Sequence, residues 1–242
     1  MEKMKTQIFL QARVRSARLQ GKVLFKILGK SVVALTVERL QRVGGIDKIV
    51  LVTGPRKKNE KLVQEAERVG IPYFCGSEDE VLDRFYQAAK VFQPQAIIRV
   101  TADCPLIDPA IIEKGLKEFA EGAYDIAGNT RLRTYPDGMD FEVFLATALE
   151  TAWQKDPARL HPTQYMWREK AFKAKDIQTI PDLSRIRLTL DYPEDFTLIK
   201  NVYEHLYPKN PDFSLQDILR FLEANPLFLE GNQKYIKLDY GL

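Results

Sequence analysis

The chain has almost no histidine and almost no cysteine: His161, His205, Cys75 and Cys104 are the full set in 242 residues. The cysteines are not in CxxC spacing, which excludes a disulfide framework and a zinc site and fits a reducing compartment, so both read as buried small hydrophobes. So little histidine, with no GxSxG elbow, argues against serine-hydrolase chemistry. No apolar run reaches the length of about 18 residues that a bilayer-spanning helix needs. The start MEKMKTQ lacks the apolar stretch of a secretory signal, so a cytoplasmic protein is expected. Net charge is also scarce. A formal +3, spread over acids and bases alike, predicts neither a nucleic-acid partner nor membrane insertion. Neither a P-loop nor a GxGxxG dinucleotide element occurs, and no internal repeat or linker splits the chain. The remaining composition, 45% hydrophobic and 29% charged, is that of an ordinary globular protein, and one domain over residues 1–242 is expected.

What is present is a rhythm of strands and helices. Residues 7–11 form a short apolar run, SVVALTVERLQRV has helical spacing before the Gly44-Gly45 stop, and KIVLVT suits a buried parallel strand. NEKLVQEAERVG, PYFCG, EDEVLDRFYQAAKVF and AIIRVT continue the alternation, and Pro109 opens a further helix at the position proline favours. Repeated β-α units of this length predict a three-layer α/β/α fold on a mostly parallel sheet. After residue 124 the rhythm breaks. DIAGNT, MDFEVF and IRLTLD read as strands that could pair antiparallel at a sheet edge, separated by the helical TALETAWQK and HPTQYMWREKAF. EDFTLIKNVYEHLY and SLQDILRFLEAN read as closing helices, and the tail 226–242 has no assignable period.

Ligands of open parallel sheets bind beyond the carboxyl ends of the strands, which directs attention to residues 12–22, 101–108 and 191–195. The first loop sets Arg13, Arg15, Arg18 and Lys22 close together, with Gly21 allowing close backbone approach. Clustered guanidinium groups match an oligophosphate; a solvated basic loop is the plainer alternative. Asp103 lies just past a strand and can face the cleft. Asp108, before Pro109, reads as a helix N-cap. Glu194 and Asp195 suit the first turn of a helix, which leaves Asp191 available. Two carboxylates from different segments suit Mg²⁺, which takes its other ligands from water and phosphate. His161 is a candidate substrate contact and His205 reads as structural. Trp153 and Trp167 read as core.

QARVRSARLQGKVL resembles an element of the SpsF group of spore-coat polysaccharide proteins, relatives of the CMP-Kdo and CMP-sialic acid synthetases. The likeness continues in order through ERLQRV, GSEDEVLDRFYQAA, IRVTADCPLIDP, YPDGMDFEVF and RLTLDYPEDF, up to about residue 205. The resemblance implies a glycosyltransferase-A-like nucleotide-diphospho-sugar transferase fold. It also implies a cytidylyltransferase that moves CMP from CTP, or another nucleoside triphosphate, to a sugar or sugar acid for surface polysaccharide. Pyrophosphate would be the second product.

Carried over by position, Arg13, Ser16, Arg18 and Lys22 would hold the triphosphate, with Arg18 and Lys22 neutralising the leaving pyrophosphate, while Arg15, which has no counterpart in the family, would either add a phosphate contact or fill the pocket. Asp103 and Asp191 would bind Mg²⁺. Ser77 and the backbone at Ala12 and Ala102 would meet the base and ribose, and Asp140, Glu142 and His161 the sugar. Homodimers occur among such relatives, though no stripe in the sequence marks a dimer face. Departures are local: Arg15 replaces a small residue, Ala17 a threonine, Gln20 a proline and Ala102 a glycine, while RLHPT stands where the family has REHVT. They leave two alternatives open, a sugar-nucleotide-binding homologue without catalysis and a glycosyltransferase using a ready-made nucleotide sugar. The second lacks the usual DxD motif around Asp103.

Overall fold

The structure, a computed structural model, describes residues 4–236. It opens with strand β1 (Thr6–Gln11), a 3-10 turn at Lys22–Leu24, and a small antiparallel hairpin of β2 (Lys26–Ile27) and β3 (Lys30–Ser31). Then come α1 (Val32–Leu40), β4 (Lys48–Thr53), α2 (Arg56–Arg68), β5 (Tyr73–Cys75), α3 (Val81–Phe92), β6 (Ala96–Thr101) and α4 (Pro109–Gly122). The second half holds β7 (Ile126–Gly128), β8 (Glu142–Leu145), α5 (Ala146–Lys155), α6 (Gln164–Arg168), β9 (Ala174–Asp176), α7 (Pro193–Leu206), α8 (Leu215–Ala224) and α9 (Leu227–Gln233).

The main sheet has seven strands in the order β5-β4-β1-β6-β8-β7-β9. The first four are parallel, β8 runs antiparallel to both β6 and β7, and β9 is parallel to β7. Alternation along the strands explains why both faces are covered. Ile8, Leu10, Leu51 and Ile98 join one apolar cluster, beneath α1, α2, α4, α7 and α8, while Phe9, Val50, Val52 and Ile97 join the other, beneath α3, α5 and α6. Each such side chain contributes about 1.5–3 kcal/mol on burial, so the register is fixed from two sides at once. This is the expected α/β/α sandwich with a mixed, mostly parallel sheet.

From β1 the chain moves to β4 on one side and, after β5, returns to β6 on the other. The loops that leave the carboxyl ends of β1 and β6 therefore diverge and open a crevice between them. Asp108 caps α4 as expected, its Oδ1 accepting from Ala110 N at 2.9 Å, and its Oδ2 also accepts from Leu215 N at 2.6 Å.

Three readings need correction. IRLTLD is extended but is not a strand. Leu188 and Leu190 enter the core while Arg187, Thr189 and Asp191 alternate toward the crevice, yet its backbone bonds go to loops. Leu188 N donates to Asp137 O and Leu190 N to Asp103 O, at 2.6 and 2.8 Å, so the segment ties two loops together instead of extending a ladder. HPTQYMWREKAF forms only the five-residue α6. The tail carries α9, and residues 237–242 of that unassigned stretch lie outside the described residues. The β2/β3 hairpin and β9, each strand two or three residues long, were too short for a periodicity to reveal.

Candidate active site

The loop after β1 is shaped by backbone conformation. Gly21 has φ +70° and donates its N–H to Val14 O at 3.0 Å, closing residues 14–21 into a turn. A Cβ at Gly21 would meet nothing within 4 Å, so its left-handed φ, and not room for a ligand, is what calls for glycine. Val14 N is held by Asn59 Oδ1 at 2.9 Å, from a buried asparagine at a kink in α2. The 3-10 turn that follows aims Lys22 inward.

Lys22 Nζ then meets three acceptors: Asp103 Oδ2 at 2.7 Å, Leu190 O at 2.7 Å and Asp191 Oδ1 at 2.8 Å. All three ammonium protons have a partner. Arg18 adds a second cation to Asp191 Oδ1 at 2.7 Å. Asp191 is thus not left available, as the sequence suggested, but shared. Its other oxygen accepts from Arg187 Nη2 at 3.1 Å, and Arg187 also binds Asp195 through Nε at 3.0 Å and Asp137 through Nη1 at 2.8 Å. Asp195 does serve α7, accepting from Asp191 N and Tyr192 N at 2.9 Å each, and in doing so locks the Asp191 backbone.

Gly138 makes this meeting of segments possible. Its φ is +107°, and a Cβ there would lie 2.5 Å from Leu188 C and 2.6 Å from Thr189 N. Only a residue without a side chain lets the 137–139 turn cross the 187–190 segment backbone to backbone.

Charge states follow from this packing. Burial acts to lower the Lys22 pKa, but Asp103 and Asp191 outweigh it and the ammonium is held more firmly than usual. Burial likewise penalises the Asp103 carboxylate, yet the Lys22 charge and hydrogen bond bring its pKa below the ordinary value. Arg187 is raised against the cost of burial by Asp195, Asp137 and Asp191. The two carboxylates that converge on this ammonium are hard oxygen donors. Among the described residues no group of three His, Cys, Asp or Glu side chains suits a metal, so an ion at the pair would draw its other ligands from phosphate and water.

Two cavities meet at this wall. One, of about 290 Å³, is lined by Ala12, Arg13, Arg15, Ser16, Arg18 and Lys22 from the loop, with Arg84 and Asp103 opposite. The other, of about 440 Å³, is lined by Arg99, Arg133, Asp137, Asp140, His161 and Arg187, among others, and shares Arg18, Thr101 and Asp103 with the first. Arg15 is exposed at the rim and leaves the smaller cavity open. The N–H groups of Ala12 and Ala102 are committed to Val52 O and Gln11 O at 3.3 and 3.0 Å, extending the sheet ladder. Ser77 lines neither cavity: its hydroxyl accepts from Glu80 N at 3.0 Å and its carbonyl from Arg84 Nη1 at 2.7 Å.

Asp140 lines the larger cavity and is gripped by both Nη atoms of Arg133. Glu142 lies behind it, 1% exposed, accepting from Arg99 Nη1 at 2.7 Å, Thr130 Oγ1 at 2.9 Å and Trp167 Nε1 at 2.6 Å. Trp167 is core, as expected, but with its indole N–H spent on Glu142. Trp153 is half-buried, packs against the apolar cluster beneath α3, α5 and α6 from its edge, and stacks on Tyr86. Burial and the nearby Arg99 lower the His161 pKa to about 4 against the pull of Glu142, and the ring is neutral. His205 is exposed on α7, its Nδ1 2.8 Å from Asn201 O. Cys104 is buried and Cys75 only half-buried.

Sequence reasoning passed over Arg84, Arg99, Arg133, Asp137 and Arg187. A usable signal existed for two of them: Arg99 in AIIRVT and Arg187 in RIRLTL are single cations in apolar runs, and a buried cation requires an acid partner. Arg84 is 2% exposed, its Nε has no hydrogen-bond partner, and burial lowers its pKa to about 10.

Residues 8–222 match the family model described as cytidylyltransferase. The chain belongs to the cytidylyltransferase family. It is similar to an uncharacterized protein, MJ1063, of Methanocaldococcus jannaschii, with 33% identity over 96% of both chains. The spore coat polysaccharide biosynthesis protein SpsF of Bacillus subtilis is 29% identical over 90% of this chain and 93% of its own. A 3-deoxy-manno-octulosonate cytidylyltransferase of Mesorhizobium japonicum is 33% identical, but over only 51% of this chain and 52% of its own. Among solved structures, a cytidylyltransferase from Leptospira borgpetersenii superposes with a TM-score of 0.88 at 29% identity, covering 93% of this chain and 97% of that one. That cytidylyltransferase thus shares the sandwich described above. No helix of the described residues is long and apolar enough to cross a membrane.

Proposed function

We propose that this cytidylyltransferase moves CMP from CTP to a hydroxyl of a sugar substrate and releases pyrophosphate, in surface polysaccharide synthesis. The observation that carries the reading is Lys22, whose ammonium joins Asp103 to Asp191 on the wall between a cation-lined cavity and one lined by paired arginines and carboxylates. In the reaction the sugar hydroxyl gives up its proton to water as its oxygen forms a bond to the α-phosphorus, the α–β phosphoanhydride bond breaks, and the electron pair leaves on pyrophosphate. Charge therefore builds on the leaving group, and fixed cations stabilise it at no reorganisation cost.

Arg13, Arg15, Ser16 and Arg18 would contact the phosphates, and Lys22 would carry its charge from the two acids toward the departing pyrophosphate. Arg84 reads the base edge, since a buried guanidinium with an unused N–H gains most from a carbonyl acceptor such as cytosine O2. Asp103 and Asp191 would hold Mg²⁺, which when bound neutralises phosphate oxygens and aligns them for attack. Asp140 and the neutral His161 meet the sugar, while Glu142 holds Arg99 in place. Arg15, at the rim, adds a phosphate contact without filling the cavity, which supports catalysis over the binding-only alternative. Family membership favours nucleotidyl transfer over a glycosyltransferase.

The test is pyrophosphate release from CTP with a panel of sugars, with Asp103→Asn beside the wild type. Release that depends on a sugar and is lost in the variant is expected. Release from none of the panel, or release unchanged in Asp103→Asn, would overturn the reading.

A further inference from the structure

The two cavities differ in how they treat charge, and the difference bears on the acceptor. In the smaller one Arg13, Arg15, Arg18, Lys22 and Arg84 face a single lining acid, Asp103. Asp191, bonded to Lys22 and Arg18, and Glu78, 4.0 Å from Arg13, lie outside this lining; counting both still leaves five cations against three carboxylates. That is how this chain builds an anion receptor.

The larger cavity is built otherwise. With Arg18, Asp103 and Asp191 assigned to the phosphate wall, its cations are Arg99, Arg133 and Arg187. Each is already matched. Arg99 is bonded to Glu142 at 2.7 Å, Arg133 to Asp140, and Arg187 to Asp137 at 2.8 Å and Asp195 at 2.9 Å. Three guanidinium groups against four carboxylates leave no positive excess. His161 adds none, being neutral above its lowered pKa of about 4. Arg168 is exposed and lines neither cavity.

We propose that the larger cavity accepts a neutral or amine-bearing sugar and selects against one that carries a carboxylate or a phosphate; this rests on reading the site as one for CMP transfer. A bidentate Arg–Asp pair still offers N–H donors on one partner and lone pairs on the other, so a sugar hydroxyl can accept from the first and donate to the second. A carboxylate finds no uncompensated cation there. It must desolvate beside Asp137 and Asp140, and like charges brought together across an interface cost affinity. The class therefore differs from the octulosonate acid named for the Mesorhizobium relative.

The experiment uses two probes of nearly equal shape and different charge, 3-deoxy-manno-octulosonate and its primary carboxamide, titrated calorimetrically into the full chain with and without CTP. The carboxamide is expected to bind at least about tenfold more tightly. Asp140→Asn, which removes one carboxylate from Arg133, should narrow or reverse that ratio, and an unchanged thermal shift with CTP shows that the variant is folded. A carboxylate that binds the wild type as tightly as the carboxamide, or binding of neither, overturns the proposal. The CTP arm is read separately: no CTP binding condemns the CMP-transfer reading, while the ratio between the sugars still reports on the cavity.

Discussion

The two cavities on either side of Asp103 are made from the same residue types and arranged to opposite effect. On the proposed nucleotide side Arg13, Arg15 and Arg18 come from one irregular loop and are exposed, Arg84 comes from α3, and Asp103 is the single lining acid. On the sugar side arginines come from β6, the 130s segment and the 187–190 segment, and each ends on a carboxylate. A loop that starts at a strand end can hold like charges apart in water until an anion arrives. Arg99 on β6 and Arg187 in the packed interior are each compensated by a carboxylate instead, because an unpaired buried charge costs several kcal/mol. On the proposed reading the phosphates belong to one side and the hydroxyls to the other, with Lys22 as the hinge of the arrangement.

The strongest way to break the comparison is to remove that hinge. Lys22→Ala leaves Asp103 and Asp191 facing each other with a burial cost and no shared ammonium, and it should destabilise the fold by about 3–5 kcal/mol, measured by denaturant unfolding at neutral pH. Arg84→Leu tests the nucleotide side alone. It removes one charged hydrogen bond to the base and should weaken CTP binding by about 1.5–3 kcal/mol, roughly ten- to a hundredfold, with sugar binding unchanged. Calorimetric titration with CTP reads it; a CTP affinity unchanged in the variant would show that Arg84 serves packing and does not meet the base.

Gly138→Ala tests the sugar side. The added methyl collides with the Leu188 and Thr189 backbone at a left-handed φ, so a loss of about 1–3 kcal/mol or more is expected, together with sugar affinity and turnover. CTP binding through the 12–22 loop should suffer less.

The smallest effect is a pH dependence. His161 takes up a proton more readily in the unfolded chain, at its ordinary value of 6.5, than in the folded one, at about 4. The unfolded state binds more protons between those values, so stability falls as pH drops from 6.5 toward 4. His161→Asn should flatten that slope. Glu142, whose pKa is lowered by Arg99 despite burial, contributes stability that is lost only at more acid pH.

How much of this was legible in the sequence depends on the range of the interaction. The parallel strands carry an apolar parity readable over six residues, and the loops that follow them hold Lys22, Arg18 and Asp103 within view of each other's strand ends. Asp108 announced its cap through the adjacent proline. By contrast, IRLTLD has a strand's alternation, and nothing local says that its hydrogen bonds go to Asp137 and Asp103. Arg84 sits in an amphipathic helix where its neighbours suggest an exposed face, and only the tertiary packing buries it. The matched pairs Arg133–Asp140 and Arg187–Asp137 join residues 7 and 50 positions apart, and a sequence offers no measure of which acids reach which bases. Glu142 and Asp140 were noticed as candidates for sugar contact, but that their partners neutralise the cavity required coordinates.

The central claim is that Lys22, Asp103 and Asp191 form one wall of a CTP site. It is tested most directly by the apparent melting temperature with each of the four nucleoside triphosphates, with and without Mg²⁺, for the wild type and the Asp103→Asn/Asp191→Asn double variant. A ligand that binds only the folded chain raises its apparent stability by mass action. The account predicts that CTP with Mg²⁺ gives the largest rise and that the Mg²⁺-dependent part vanishes in the double variant. An equal rise with all four nucleotides, or a Mg²⁺ effect that survives the loss of both carboxylates, would contradict it.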